Sequence, residues 1–273
     1  MSAPDPTHVA HPELFELGML GGAIERRYRK SRPEVERLPW KSLRPDDFPH
    51  EMVLAARQAW TEAAFQEHRT AAACAASLQA LIAARAPVDL IAMASRFPLD
   101  EIVHVELCAR LATELGGGIP IRYDPLGVIP PPSPGRALGQ AAELVVRYFC
   151  VGEAISIPLL RGTWRVATHP LVKAILGRIV KDEAAHGQFG WVFLDWALPH
   201  LDKCERQVLR EAAGRTVAAI RDGWDRIRER GDGEPSAIHA LGWMRSTDYL
   251  ELARRSMESE VLGPLRARDL EPI

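Results

Sequence analysis

The pattern Asp-Glu-x-x-His occurs twice in the chain, as Asp100-Glu101-Ile102-Val103-His104 and as Asp182-Glu183-Ala184-Ala185-His186. A helix turns about 100° per residue, so side chains three apart share a face, roughly one turn separated. Glu101 and His104 can therefore reach one cation together, and so can Glu183 and His186. The aspartates need not touch a metal to be useful. Asp100 and Asp182 are suited to accept an imidazole N–H from the histidine of the opposite motif, which fixes its tautomer and raises its basicity. A single Glu-x-x-His is a common accident on a helix, whereas two copies with the aspartate in register point to a metal site.

Two more carboxylates complete the set. Glu67 lies 34 residues before Glu101, and Glu153 lies 30 before Glu183. If the chain reverses near Ala86 and again between Trp164 and Pro170, they come level with the two motifs. Four carboxylates in an apolar interior would be prohibitively costly alone, yet they nearly neutralise two divalent cations. Hard oxygens with a few nitrogens suit iron or manganese. Calcium would want more oxygens on a loop, and zinc fewer ligands. The expected metal ligands and catalytic residues are thus Glu67, Glu101, His104, Glu153, Glu183 and His186, with Asp100 and Asp182 behind them. Glu62 and Glu106 read as solvated surface charges. His68 points away from Glu67, and His169, just before Pro170, suits a helix cap.

Helices must carry these groups. From Glu51 to Arg85 there is neither proline nor glycine, and residues that lose little side-chain freedom in a helix dominate. A second helix is expected from Val88 to about Leu115, kinked or restarted at Pro98 and stopped by Gly116-Gly117-Gly118. Residues 119–134 hold six prolines and cannot be helical, but they are long enough to cross from one end of a bundle to the other. Further helices are expected from Gly135 to about Leu160, Pro170 to about Ala197, Leu201 to about Arg230, and Ser246 to Val261, with a loop from Gly231 to Pro235. Two short-linked pairs joined by one long crossover describe an all-α four-helix bundle with additional C-terminal helices. Residues 1–50, with seven of the 21 prolines, read as an extended or partly helical lead-in with one short helix around Pro12 to Leu20. Residues 51–197 form the di-metal bundle, and 198–273 a helical extension packed on it.

Composition excludes several classes. The formal net charge is -2, from 34 basic and 36 acidic residues, so no global field draws nucleic acid or anionic lipid. Cys74, Cys108, Cys150 and Cys204 form no CxxC pair and read as free thiols, not as a disulfide framework. Neither a secretory leader nor an apolar stretch of membrane-spanning length is evident, so a cytoplasmic setting is expected.

Glu67, Glu153 and the doubled Asp-Glu-x-x-His resemble the ligand pattern of the ferritin-like di-iron carboxylate superfamily. They look more like its oxidase and monooxygenase branch than like ferritin. The resemblance covers roughly residues 51–197 and implies a ferritin-like bundle holding two Fe ions, or Mn/Fe or Mn/Mn in their place. It implies Glu67, Glu101 and His104 on one ion, Glu153, Glu183 and His186 on the other, and Glu101 and Glu183 as bridges. The implied activity is oxygen-dependent oxidation or monooxygenation of a small organic substrate. Dioxygen and an external electron donor are the implied partners, since the chain has no nucleotide-binding fingerprint; a homodimer is compatible with this reading. Cys108, seven residues after Glu101, stands where radical-generating reductase subunits carry tyrosine, and resembles bacterial multicomponent monooxygenases. Ile179, four before Glu183, stands where arylamine N-oxygenases carry an extra histidine. Amine N-oxygenation and ferroxidase or iron-handling activity are the alternative expectations.

Overall fold

The computed structural model describes residues 12–230 and 235–273. The polar stretch from Met1 to His11 lies outside the described residues, as does the expected loop at residues 231–234. The described chain is all-α apart from one two-residue pairing. No helix among the described residues is long and apolar enough to cross a membrane.

The lead-in differs from the expected short helix between Pro12 and Leu20. There the chain is extended, with β1 (Glu13–Leu14) pairing antiparallel to β2 (Arg122–Tyr123) in the crossover. The cause is tertiary. The Phe15 ring meets Phe65 at 5.2 Å, His68 at 5.3 Å and Tyr123 at 6.1 Å, an aromatic cluster that holds the strand against the bundle. Helix begins only after Gly21, as α1 (Gly22–Ser31), followed by α2 (Pro33–Glu36).

α3 (His50–Ala83) runs uninterrupted for 34 residues, about 50 Å at the helical rise. It stops where Arg85 takes a left-handed conformation, φ 54°. α4 (Val88–Ala94) follows Pro87, and α5 (Phe97–Glu114) restarts with Pro98 in its first turn, where a missing N–H costs no ladder bond. Gly116 and Gly117, with φ 109° and 108°, terminate α5 in a backbone region that side chains disfavour. Arg57 donates to the Gly117 carbonyl at 2.8 Å, while Glu67 lies 3.8 Å from His104, so α3 and α5 are antiparallel.

The proline-rich segment does cross the molecule. It leaves α5 beside Arg57 and ends where Arg136 donates to the His200 carbonyl at 3.1 Å, beside the far end of the second pair. That pair consists of α6 (Ala137–Val145), a π-helical stretch Val146–Glu153, and α7 (Ala154–Val166), packed against α8 (Pro170–Ala197). The helical run ends at Val166, beyond the expected Leu160. Gly177 abuts Trp164, Gly187 abuts Ile157 and Gly190 abuts Cys150, an antiparallel sequence of contacts. At Gly190 an added Cβ would sit 2.8 Å from the Cys150 sulfur, so the residue permits this close approach. His169 caps α8 as expected, its Nδ1 accepting from Leu171 N at 3.3 Å.

α9 (Lys203–Arg230), α11 (Ser246–Ser256), a π turn at Met257–Leu262 and α12 (Gly263–Arg266) cover the second pair, while α10 (Pro235–Leu241) packs on α3. α10 was not legible in the sequence; the indole N–H of Trp60 ties it down by donating to Leu241 O at 2.8 Å. The hydrophobic core divides in two. One cluster uses Val53, Trp60, Leu107, Leu111, Leu171 and Ile175; the other uses Leu81, Phe97, Phe149, Phe189, Phe193 and Met257. Glu67, Glu101, His104, Glu183 and His186 fall between these sets along every helix they occupy.

Glu106 corrects the sequence expectation of a solvated charge. It is 8% exposed and pairs at 2.7 Å with Arg32, itself 1% exposed, which bridges on to Glu36 at 2.7 Å. The partner comes from the lead-in, so nothing local in α5 announces it. In Glu106→Ala, Arg32 keeps only Glu36, and urea denaturation should show a stability loss of about 2 kcal/mol. An unchanged midpoint and slope would show that the lead-in is not anchored by this pair.

Candidate metal centre

Helical spacing alone puts Glu101 beside His104 on α5 and Glu183 beside His186 on α8. Packing of the two pairs then brings the motifs face to face. Glu101 and His104 are 0% exposed, His186 0%, Glu183 2% and Glu153 6%; Glu67 is the most open, with 17% of its side chain accessible. His104 Nδ1 lies 3.5 Å from Glu101, 3.3 Å from Glu183 and 3.8 Å from Glu67. His186 Nδ1 lies 3.0 Å from both Glu101 and Glu183. Two groups result that could hold metal: Glu67, Glu101, His104 and Glu183, and Glu101, Glu153, Glu183 and His186, with the candidate ligand atoms of each group within 4.8 Å of one another. Glu101 and Glu183 belong to both. All six expected residues are thus brought together.

The aspartates act crosswise. His104 Nε2 is 3.3 Å from Asp182, and His186 Nε2 is 3.7 Å from Asp100, so each imidazole turns Nε2 to an aspartate of the other motif and Nδ1 to the glutamates. Sequence reasoning missed the next layer. Arg96 approaches Asp100 at 3.1 Å from the N-cap of α5, and Arg178 approaches Asp182 at 2.5 Å from one turn earlier in α8. The full repeat is Arg-x-x-x-Asp-Glu-x-x-His, and the four-residue spacing was visible in the sequence. Arg178 also pairs with Glu34 of α2, which ties the lead-in to this shell. Arg178→Gln should weaken metal binding about tenfold in chelator competition, because Asp182 would orient His104 less firmly. An affinity equal to that of the unaltered chain would disconnect Arg178 from the centre.

The charges show what the site lacks. Burial pushes Glu67 up to about 8 and Glu153 well above the carboxylate range, with Glu183 and Glu101 adding repulsion at Glu153. Burial opposes ionisation of Glu183 too, but the His104 and His186 imidazoles beside it, at 3.3 and 3.0 Å, hold it well below that range. Burial disfavours charged imidazoles, yet Asp182, Glu101 and Glu183 raise His104 far above its usual value, and Asp100, Glu101 and Glu183 raise His186 to about 12. Both Glu101 oxygens, Glu183 Oε2 and the Nδ1 atoms of both histidines are buried without hydrogen-bond partners. Orphaned buried groups cost about 1–3 kcal/mol each, and here they converge. Divalent cations would satisfy all of them, so the residues fit a metal pair. Burial pushes the Cys74 and Cys108 thiols up, which keeps them neutral and out of the ligand set.

A cavity of about 520 Å3 opens onto this cluster, touching Glu67, Glu153 and Glu183 and bounded by Ile155, Leu159 and Trp224. The π-helical stretch ends at Glu153, the carboxylate at the cavity floor; such stretches frequently occur at functional sites.

No protein-family model matches the chain, and no curated protein matches it.

Proposed function

We propose that the chain is a ferritin-like four-helix di-metal protein, and that it works as an oxygen-dependent non-haem di-iron oxidase or monooxygenase on a small organic substrate. The observation that carries this is the conjunction of two carboxylate–histidine groups sharing Glu101 and Glu183 with a largely apolar cavity that ends on Glu67, Glu153 and Glu183. A storage site needs no such cavity. Ile220, Trp224 and Tyr249 of the extension after residue 197 wall this opening beside the cluster.

In this reading Glu67, Glu101, Glu183 and His104 hold one ion, and Glu101, Glu153, Glu183 and His186 the other. Bound iron would supply Lewis acidity and electrons for dioxygen. The chain does the rest. Asp182 accepts from His104 Nε2 at 3.3 Å, and Asp100 lies 3.7 Å from His186 Nε2, so both Nδ1 atoms are left to face the glutamates. The two apolar clusters exclude water above and below the polar layer. Glu67, the most accessible carboxylate, is the group best placed to yield as substrate enters. Ile179 is buried in an apolar cluster and offers no ligand atom, which counts against the extra histidine ligand of the amine N-oxygenation alternative.

The test is anaerobic loading with ferrous ion, assignment of the bound metal by element-specific anomalous scattering, and an oxygen electrode trace on admitting air with candidate organic molecules. Substrate-dependent oxygen consumption is expected. Assembly into a large iron-filled shell would instead identify an iron-handling protein, and failure to take up either ferrous or manganous ion would end the metal reading.

A further inference from the structure

The cleft beside the candidate centre has two chemically different halves. The inner half, described above, is walled by Ile155, Leu159, Leu160, Trp224 and Tyr249. The outer half, about 780 Å3, lies under the proline run Pro130–Pro134, with Arg69, Arg147, Arg215 and Glu143 as its charged residues. Gln66, Thr70, Tyr148, Gly152 and Ile220 line both halves, so the two cavities adjoin along this wall.

Three guanidiniums against one carboxylate leave the outer half positive in a chain whose net charge is -2. Glu143 offsets part of this, lying 3.8 Å from Arg147 while also accepting from Ser133 N at 2.7 Å, so Arg69 and Arg215 carry the excess charge. Arg147 is fixed to the wall by donating to Pro130 O at 3.1 Å and to the Tyr148 hydroxyl at 3.0 Å. Arg69 and Arg215 are exposed, contacting only Gln66 at 3.1 Å and Glu211 at 3.9 Å in the described contacts. A concave wall of one sign concentrates ions of the other.

From this we infer that the substrate is an anionic amphiphile. Its carboxylate or phosphate sits among Arg69, Arg147 and Arg215, and its apolar chain or ring runs inward to the carboxylates of the centre. This rests on the reading of the centre as an oxidising site. It adds that the position oxidised lies at a distance from the charged group set by the length of the cleft.

Decanoate, decyl phosphate and decanol share one chain and differ in the head. They are titrated calorimetrically into the full-length protein treated with manganous ion, while tryptophan quenching, assigned through Trp224→Phe, reports occupancy of the inner half. At least one anion should bind about tenfold more tightly than decanol, and the stronger of the two identifies carboxylate or phosphate as the head. The double variant Arg69→Gln with Arg215→Gln should erase that preference without changing decanol affinity or metal content, and Arg215→Glu should weaken anion binding further. Equal affinity for all three probes, quenching that persists in Trp224→Phe, or an anion preference that survives the double variant would overturn the assignment. Because the titration needs no turnover, an intact anion preference without oxygen consumption counts against the oxidase reading alone. Oxygen consumption without an anion preference counts against this inference alone.

Discussion

Glu183→Ala should abolish high-affinity binding of both metal ions, whereas Glu67→Ala and Glu153→Ala should each cost one. The difference follows from where the oxygens point. Glu183 offers Oε1 to His104 Nδ1 at 3.3 Å and Oε2 to His186 Nδ1 at 3.0 Å, so one side chain has an oxygen in each group. Glu101 is disposed in the same way, at 3.5 and 3.0 Å. Glu67 belongs only to the first group and Glu153 only to the second. Loss of a group behind a ligand already costs about 10- to 100-fold in affinity, so loss of a shared ligand should exceed about a hundredfold for each ion. Anaerobic titration with ferrous or manganous ion, with metal content checked after gel filtration, reads the stoichiometry directly. Two ions retained in Glu183→Ala would remove this residue from the centre, and equal losses in all three variants would remove the shared-ligand geometry.

Metal uptake should release close to four protons per chain near pH 7, about two per ion. In the metal-free protein burial keeps Glu67 protonated up to about 8 and Glu153 higher still, while the surrounding carboxylates keep His104 and His186 as imidazolium. Divalent cations need these groups as two carboxylates and two neutral imidazoles. Four protons leave as four positive charges arrive, so the buried layer keeps its net charge. The exchange makes apparent affinity rise steeply with pH. Stability of the metal-free chain should move the other way. Glu67 binds a proton in the folded state between about 4.5 and 8 that the unfolded chain does not, and His186 does so from about 6.5 to about 12. More protons on the native state means that stability falls as pH rises through both windows. Calorimetry should therefore show the metal-free melting temperature declining from pH 6 to 9, and the metal-loaded one holding. An indicator-dye titration releasing fewer than two protons per chain would contradict the protonated metal-free cluster.

Glu106 and Glu143 show where sequence reading runs out. Each is a charged residue inside a helix, where the ordinary expectation is a solvated face; Glu106 is buried because the lead-in supplies Arg32, and Glu143 because the end of the crossover supplies the Ser133 amide beside its own one-turn partner Arg147. The extended lead-in is the same case, since its strand exists only against β2 and Phe65. The π-helical stretch has no local signature either, because a shift of one hydrogen-bond register leaves composition unchanged.

Local pattern was enough to specify the all-α class, the limits of α3 and α8 to within a residue or two, the restart at Pro98, the stop at Gly116 and Gly117, and the juxtaposition of each glutamate with its histidine. All of these depend on backbone propensity or on one turn of helix, interactions that reach only a few residues along the chain. The crosswise aspartates followed from the doubled motif, whereas packing alone set the extended lead-in, the burial of Arg32 and Glu106, and the two-part cleft with its arginines. These depend on packing between segments far apart in sequence, where no local pattern carries the information.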